Sequence, residues 1–385
     1  MTPPSPGSCI LMTTDAVGGV WTYSAALAQA LAREGYCIHL VILGPAPRQD
    51  QLAPLQGAAG INVEVTDLAL EWMDPHGSDL PRARDALRAI AQRVKPDVVH
   101  LNGFREATAQ WPAPVLVVAH SCVRSWSHAC HGEEPREPQW RQYIANVALG
   151  LAAADQWVAP TAAFRDTIWV LYGAPAAGAV IWNGTDAIPR SPLKQPFICA
   201  AGRLWDEAKN LSALAQAAQE IIWPIHVAGA VESGENKAQI APARAEQLQL
   251  LGTVPHAELI SLMRRAAIFA APALYEPFGL AVLEAASAGC ALALSDIASF
   301  RELWDGAALF FDPHDVNTIR DSLNRLCTDA ELRTGLQAAA IARARRYSTR
   351  RMVQNYSHLY RTICAGHAAI ASEAPHPSAA AEVAA

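Results

Sequence analysis

The chain has 385 residues, 51% of them hydrophobic, and a formal net charge of −6. That length exceeds what one hydrophobic core usually supports, so two domains are expected. The acidic balance, with no Lys/Arg block and no basic-aromatic interleaving, argues against nucleic acid as a partner.

Short strands alternate with helices along the chain, the rhythm of an α/β protein built on parallel sheets with crossover helices. A strand begins at Ser8 to Thr13, a turn containing Gly18 and Gly19 follows, and Val20 to about Arg33 has helical apolar spacing. Ile38 to Leu43 is the second strand, and further strands are expected at Ile61 to Val65, Val98 to Leu101, Val115 to Ala119, Gln156 to Ala159 and Ala179 to Trp182. Between Pro81 and Lys95 lies a locally basic helix, read as a solvated face, with peripheral membrane contact as the rival reading that the overall charge does not support. Ser191 to Gln195 reads as a linker. Beyond it, strands are expected at Phe197 to Ala201, Ile225 to Gly229, Gln249 to Leu251, Ile268 to Ala271, Ala291 to Ser295 and Ala308 to Phe311. Helices from Val316, from Ala330 and from Thr349 to Ile363 close the chain, and the Ala/Pro/Ser-rich tail from Ala365 is expected to be mobile.

Eight scattered cysteines with no Cys-x-x-Cys read as reduced core thiols. The segment Met1 to Pro6 lacks a basic region leading into a long apolar stretch, and no apolar run approaches the ~20 residues of a membrane span, so a cytoplasmic protein is expected. Gly18-Gly19 belongs to neither Gly-x-Gly-x-x-Gly nor a Walker loop, which removes the basis for nicotinamide-cofactor or P-loop chemistry. The stretch His120 to His131 offers His120, Cys122, His128, Cys130 and His131 as zinc ligands, but their crowded spacing does not match a structural tetrahedral site. A mobile loop is expected there.

Two segments carry the chemistry. In Ala273-Leu-Tyr-Glu-Pro-Phe-Gly-Leu-Ala-Val-Leu-Glu284, Glu276 precedes a strand-to-helix turn and Glu284 lies on the helix. Unpaired amides at such a turn grip hydroxyl or phosphate oxygens, and carboxylates beside them suit a polyol. A helix that happens to carry one capping and one solvated acid is the plain alternative. In Ala200-Ala-Gly-Arg-Leu-Trp-Asp-Glu-Ala-Lys-Asn210, Arg203 and Lys209 follow a strand on either side of a short loop, where α/β sheets bind ligands. Together they can hold a diphosphate, although each also reads as a surface cation paired with Asp206 or Glu207.

Read together, Glu-Pro-Phe-Gly-Leu-x-x-Leu-Glu and the preceding Gly-Arg-x-x-x-x-x-Lys-Asn resemble the donor site of retaining glycosyltransferases of family 4, which have the two-Rossmann-domain (GT-B) architecture. Weaker matches at Gly18-Gly19, His120, Asn183-Gly184 and Gly252-x-Val254 extend the similarity from about Ile10 to about Ile363. The resemblance implies an N-terminal acceptor-side domain over 1–190, a donor domain over 191–348, a helix over about 349–365 returning to the first domain, and a tail over 366–385. It implies a UDP- or GDP-sugar as donor and a sugar-containing acceptor. Arg203 and Lys209 would neutralise the leaving diphosphate, and Glu276 would bind secondary hydroxyls of the sugar with the amides of Phe278, Gly279 and Leu280. Glu284 would hold the ribose, the base would rest near Val254, and Gly18 and Gly19 would approach the diphosphate or acceptor. His120 would hydrogen-bond the donor sugar. By position alone, Trp21, Arg124 and Trp126, with Glu133 and Glu134, are candidates for the acceptor side.

No cofactor and no metal are expected, since no Asp-x-Asp occurs and the two cations take the charge-neutralising role. Trp182, Ala291 and Ile297-Ala-Ser299 depart from the family pattern, which leaves the shape of the sugar pocket and the sugar itself open. A sugar-nucleotide epimerase on the same architecture would need acid/base groups flanking the sugar, for which only His120 is visible. A silent nucleotide-sugar-binding protein would be expected to lose charged donor-site groups, yet Arg203, Lys209, Glu276 and Glu284 are all present.

Overall fold

A computed structural model describes residues 7–173, 178–189, 191, 193–233, 236–237 and 247–373. The first sheet is formed by β1 (Cys9–Asp15), β2 (Cys37–Leu43), β3 (Ile61–Val65), β4 (Val98–Leu101), β5 (Val115–Val118), β6 (Gln156–Ala159) and β7 (Ala179–Val180). These pair in parallel in the order β3-β2-β1-β4-β5-β6-β7. Period-two alternation divides its side chains between two cores. Leu11, Val41, Val99 and Val117 face one layer, which also holds Leu87 and Ile90 of α3 (Leu80–Val94) and Val147 of α5 (Gln139–Ala153). Ile10, Met12, Leu40, Val98 and Leu116 face the other, against α1 (Gly19–Arg33). The basic helix expected from Pro81 is therefore α3, whose apolar stripe is buried while Arg82 pairs with Asp67 and Asp79 and Arg93 with Glu64.

The second sheet contains β8 (Gln195–Ala201), β9 (Ile225–Ala228), β12 (Leu248–Gly252), β13 (Ala266–Ala271), β14 (Ala291–Ser295) and β15 (Ala308–Phe311). The short hairpin β10 (Glu232–Ser233) and β11 (Asn236–Lys237) stands apart from it. The parallel order is β12-β9-β8-β13-β14-β15, again with a buried layer on each face. In both sheets the chain order reverses beside the first strand, between β1 and β4 and between β8 and β13. Loops leaving the carboxyl ends of neighbouring strands diverge at such a point and open a crevice.

Residues 123–131 are not a loop. Cys122 caps α4 (Val123–His131), its sulfur accepting from the Ser125 amide, and Gly132 ends the helix in a left-handed conformation. The last helix also differs from expectation, since α13 (Thr349–Glu373) continues ten residues past Ile363. The expected mobile tail is thus helical as far as Glu373, and its remainder lies outside the described residues. Met352, Val353, Tyr356, Tyr360 and Ile363 of α13 recur at helical spacing and enter the core of the first sheet beside α1. There Tyr360 Oη lies 2.7 Å from Nδ1 of His100, a buried residue of β4. A parallel bridge between Thr185 and Ser348 marks where the chain leaves and re-enters this half.

Candidate active site

A cleft of about 1170 Å³ runs between the carboxyl ends of the two sheets. On the second-sheet side its floor is built by two strand-to-turn segments. After β13, the chain passes Glu276 and enters α9 (Leu280–Ser287) through Gly279, which has φ 85°. A side chain there would also crowd Phe300 and Glu276, so the position favours glycine on two counts. Phe278 is buried in the core, which fixes the turn, and the amides of Phe278 and Gly279 have no acceptor among the described residues. With the Leu280 amide, an orphan donor of the first helical turn, they form a rim of open donors on the cleft. Ser299 Oγ donates to the Glu276 carbonyl at 2.5 Å, so the departure at Ile297-Ala-Ser299 anchors the turn from behind.

After β8, the second segment carries Arg203 and Lys209. Asn210 adopts a left-handed conformation at φ 53°, and its side-chain amide donates to the carbonyls of Pro272 (3.0 Å) and Pro313 (2.8 Å). The Leu274 amide donates to Ala208, which ties the two segments together. Lys209 Nζ consequently lies 2.6 Å from Glu276 Oε2. Arg203 pairs with Asp206 at 2.8 Å, the surface pairing anticipated for it, yet it lines the cleft. Burial raises the pKa of Asp206, but Arg203 and Lys209 outweigh it and hold the carboxyl below the usual range. Its other oxygen accepts from Trp126 Nε1 at 3.0 Å, so a residue of α4 in the first half braces the Arg203 loop.

Across the cleft, Gly18 sits at φ 105° immediately before α1, and a Cβ there would stand 3.1 Å from Arg203 Nη1. Gly18, Gly19, Val20 and Thr22 line the cleft. His120 Nε2 lies 2.8 Å from Asn102 Oδ1, whose amide nitrogen donates to the Thr13 carbonyl at 2.7 Å. That orientation gives His120 the Nε2–H tautomer and leaves Nδ1 as an acceptor. Burial pushes its pKa down to about 3, so the ring is neutral near pH 7. Glu284, 6% exposed in its side chain, meets His256 Nε2 at 2.7 Å. This hydrogen bond raises the pKa of His256, a residue the sequence did not single out because its partner is 28 positions away. Val254 lines the cleft beside it.

Two expected acceptor-side residues are placed elsewhere. Trp21 is 7% exposed and packs in the core of the first sheet, because the ~100° step of a helix turns it away when Val20 and Thr22 face the cleft. Arg124 is committed to Glu134 and to the Leu171 carbonyl, and does not line the cleft. Trp126 does line it. Glu133 pairs with Arg136. Among the described residues, no group of three or more His, Cys, Asp or Glu side chains is placed to share a metal ion, and no helix is long and apolar enough to cross a membrane.

Further bonds close the two halves around this site. Ser125 Oγ and Tyr275 Oη are 2.8 Å apart, and Thr161 Oγ1 donates to the Pro277 carbonyl at 2.9 Å. The Glu302 carboxylate accepts from the Ala162 and Ala163 amides at 3.0 and 2.8 Å, at the start of α6 (Ala162–Tyr172). Trp182, another departure from the expected pattern, reaches the same carboxylate at 3.4 Å.

Comparison with known proteins gives this cleft a family. Residues 17–187 match the profile described as Glycosyltransferase Family 4, and residues 185–343 match Glycosyl transferases group 1. The chain is 26% identical over 327 residues to the serotype-specific mannosyltransferase WbdA of Escherichia coli, covering 74% of this chain and 39% of that protein. It therefore spans about two fifths of the length of that relative. It is 25% identical over 370 residues to the phosphatidyl-myo-inositol mannosyltransferase of Mycolicibacterium smegmatis, covering 91% of each. The fold matches that of Anabaena HepE in complex with UDP and glucose, with a TM-score of 0.75 at 16% identity, over 92% of this chain and 100% of the other. With both halves matched and the GT-B architecture in place, the chain belongs to glycosyltransferase family 4.

Proposed function

We propose that the protein is a retaining hexosyltransferase that moves a hexose from a UDP- or GDP-sugar to a glycan, lipid-linked or small-molecule acceptor without a metal ion. The convergence of Arg203, Lys209, Glu276 and the open amides before α9 at one end of the cleft supports this reading most strongly. A diphosphate between the Gly18 turn and the Arg203–Lys209 loop meets two cations, which suit the negative charge that grows on the β-phosphate as the C1–O bond breaks. Cations aimed at that charge stabilise the transition state more than the bound donor.

The sugar's secondary hydroxyls then donate to Glu276, while the rim amides donate to its oxygens. His120, neutral and with Nδ1 free, accepts a hydrogen bond from a sugar hydroxyl instead of donating one. The ribose hydroxyls donate to Glu284 once His256 yields its place. Transfer proceeds on the face from which the phosphate departs. The acceptor oxygen bonds to the anomeric carbon, and the leaving phosphate oxygen takes the acceptor's proton.

WbdA is named for mannose transfer and HepE was solved with UDP and glucose, so both donor types belong in the test. The experiment is release of free sugar from a panel of UDP-, GDP- and ADP-hexoses, with and without EDTA. Hydrolysis of one donor that EDTA leaves unchanged supports the proposal. Conversion of a donor into its epimer, or loss of activity on chelation, overturns it.

A further inference from the structure

The first-sheet half of the cleft carries a carboxylate that none of the steps above uses. Glu71 lies between β3 and α3, and its Oε2 accepts from the amides of Phe104 at 3.1 Å and Arg105 at 3.2 Å. Its Oε1 has no hydrogen bond among the described residues. The adjacent guanidinium is already engaged, since Arg105 donates to Glu106 (2.9 Å), to Asp74 (2.9 Å) and to the Ala69 carbonyl (2.7 Å). Three carboxylates thus share one buried cation, and Glu71 is the one left without an ion pair. Burial, reinforced by the charge of Glu106, raises its pKa to about 7. A carboxylate withdrawn from bulk water in this way is stabilised by any ligand that donates hydrogen bonds to it.

Aromatic rings stand beside it. Trp72, the next residue, lines the same cleft with Trp140 and Tyr143 of α5, whose rings meet edge to face at 5.7 Å. Trp72 and Trp140 are only partly buried, so part of each ring remains open. An aromatic surface next to a carboxylate suits a pyranose, whose C–H face packs on the ring while its hydroxyls donate to the acid. Asn102 and His120 line the same cleft as Glu71 and the Gly18 turn, so a ring held here shares the cleft with the proposed donor.

We infer that Glu71, Trp72 and Trp140 form the subsite for the acceptor's sugar ring, with Glu71 Oε1 accepting from one of its hydroxyls. The assignment of this ring as an acceptor rests on the transferase reading above. Glu71 is then a binding residue that sets which hydroxyl faces the anomeric carbon.

The test is saturation-transfer NMR on the full chain saturated with UDP or GDP, using methyl α-D-mannopyranoside and methyl α-D-glucopyranoside as probes. Ring C–H signals from one glycoside are expected with the wild type, with affinity falling about tenfold or more in Glu71→Gln. Nucleotide titration of the same samples reads the donor half separately. If Glu71→Gln loses nucleotide binding as well, the reading passes to Trp72→Ala and Trp140→Ala, which must lose the glycoside selectively. No contact from either glycoside, or unchanged affinity in the variants, overturns the subsite alone. A wild type that binds neither nucleotide defeats the transferase reading, and the subsite with it.

Discussion

Replacing Lys209 by Met keeps the aliphatic stem and removes the charge. Lys209 Nζ sits 2.6 Å from Glu276 Oε2, with side chains 20% and 23% exposed. At an effective dielectric of 20, two unit charges at that distance attract by about 6 kcal/mol. Solvent screening and lost side-chain freedom reduce the net contribution to folding to about 1 kcal/mol, equivalent to about 1 °C in Tm for a chain of this size. The kinetic effect is expected to be much larger. Removing one donor aimed at developing charge costs about 10²–10³ in kcat, and here the substitution also leaves the Glu276 charge uncompensated beside the phosphate. Initial rates of sugar release against donor concentration should show kcat reduced by that factor with donor KM changed only a few-fold, and Lys209→Arg should recover part of the loss. A kcat within about threefold of wild type, or a loss confined to KM, would refute the assignment of Lys209 to the leaving phosphate.

Glu284→Ala should raise donor KM with little change in kcat, since the ribose does not change during transfer; an unchanged KM would remove Glu284 from the site. Because the hydrogen bond to Glu284 raises the His256 pKa, the imidazolium persists to higher pH than usual and releases Glu284 as pH rises through that value. UDP affinity should therefore weaken on acidification, and His256→Gln should flatten the profile in a calorimetric pH series. At Gly18, φ 105° and the nearby Arg203 make alanine costly by about 1–3 kcal/mol of strain, so Gly18→Ala should lower Tm and weaken UDP binding together. Wild-type values for both would contradict the close approach. Tyr360→Phe leaves Nδ1 of buried His100 unpaired, at a cost of about 1–3 kcal/mol, read as a lower Tm; an unaltered Tm would show that this bond does not secure α13.

Much of the fold was legible because its information is local. Strands such as Val115–Val118 and Ala266–Ala271 are continuous apolar runs, as strands covered on both faces must be, and α11 (Val316–Thr328) and α12 (Ala330–Ala344) begin where their Asp caps stand. The candidate donor residues were legible for the same reason. Arg203 and Lys209 lie on one strand-to-helix connection and Glu276 and Glu284 on another, so short-range spacing already places each near a strand's carboxyl end.

The sequence by itself therefore determined the alternation of elements, the two candidate donor segments and the family they resemble. Tertiary structure decided the direction of side chains and the contacts between distant positions. One helical step sends Trp21 into the core, an ion pair draws Arg124 out of the cleft, and Trp126 reaches Asp206 across 80 positions of sequence. Glu71 has no motif around it. Its exposure to the cleft depends on Arg105 being satisfied by Glu106, Asp74 and Ala69, an arrangement that exists only after the loops have packed. Local periodicity fixes which backbone forms a strand or helix, whereas the partner of a buried charge is set by the packing of segments far apart in the chain.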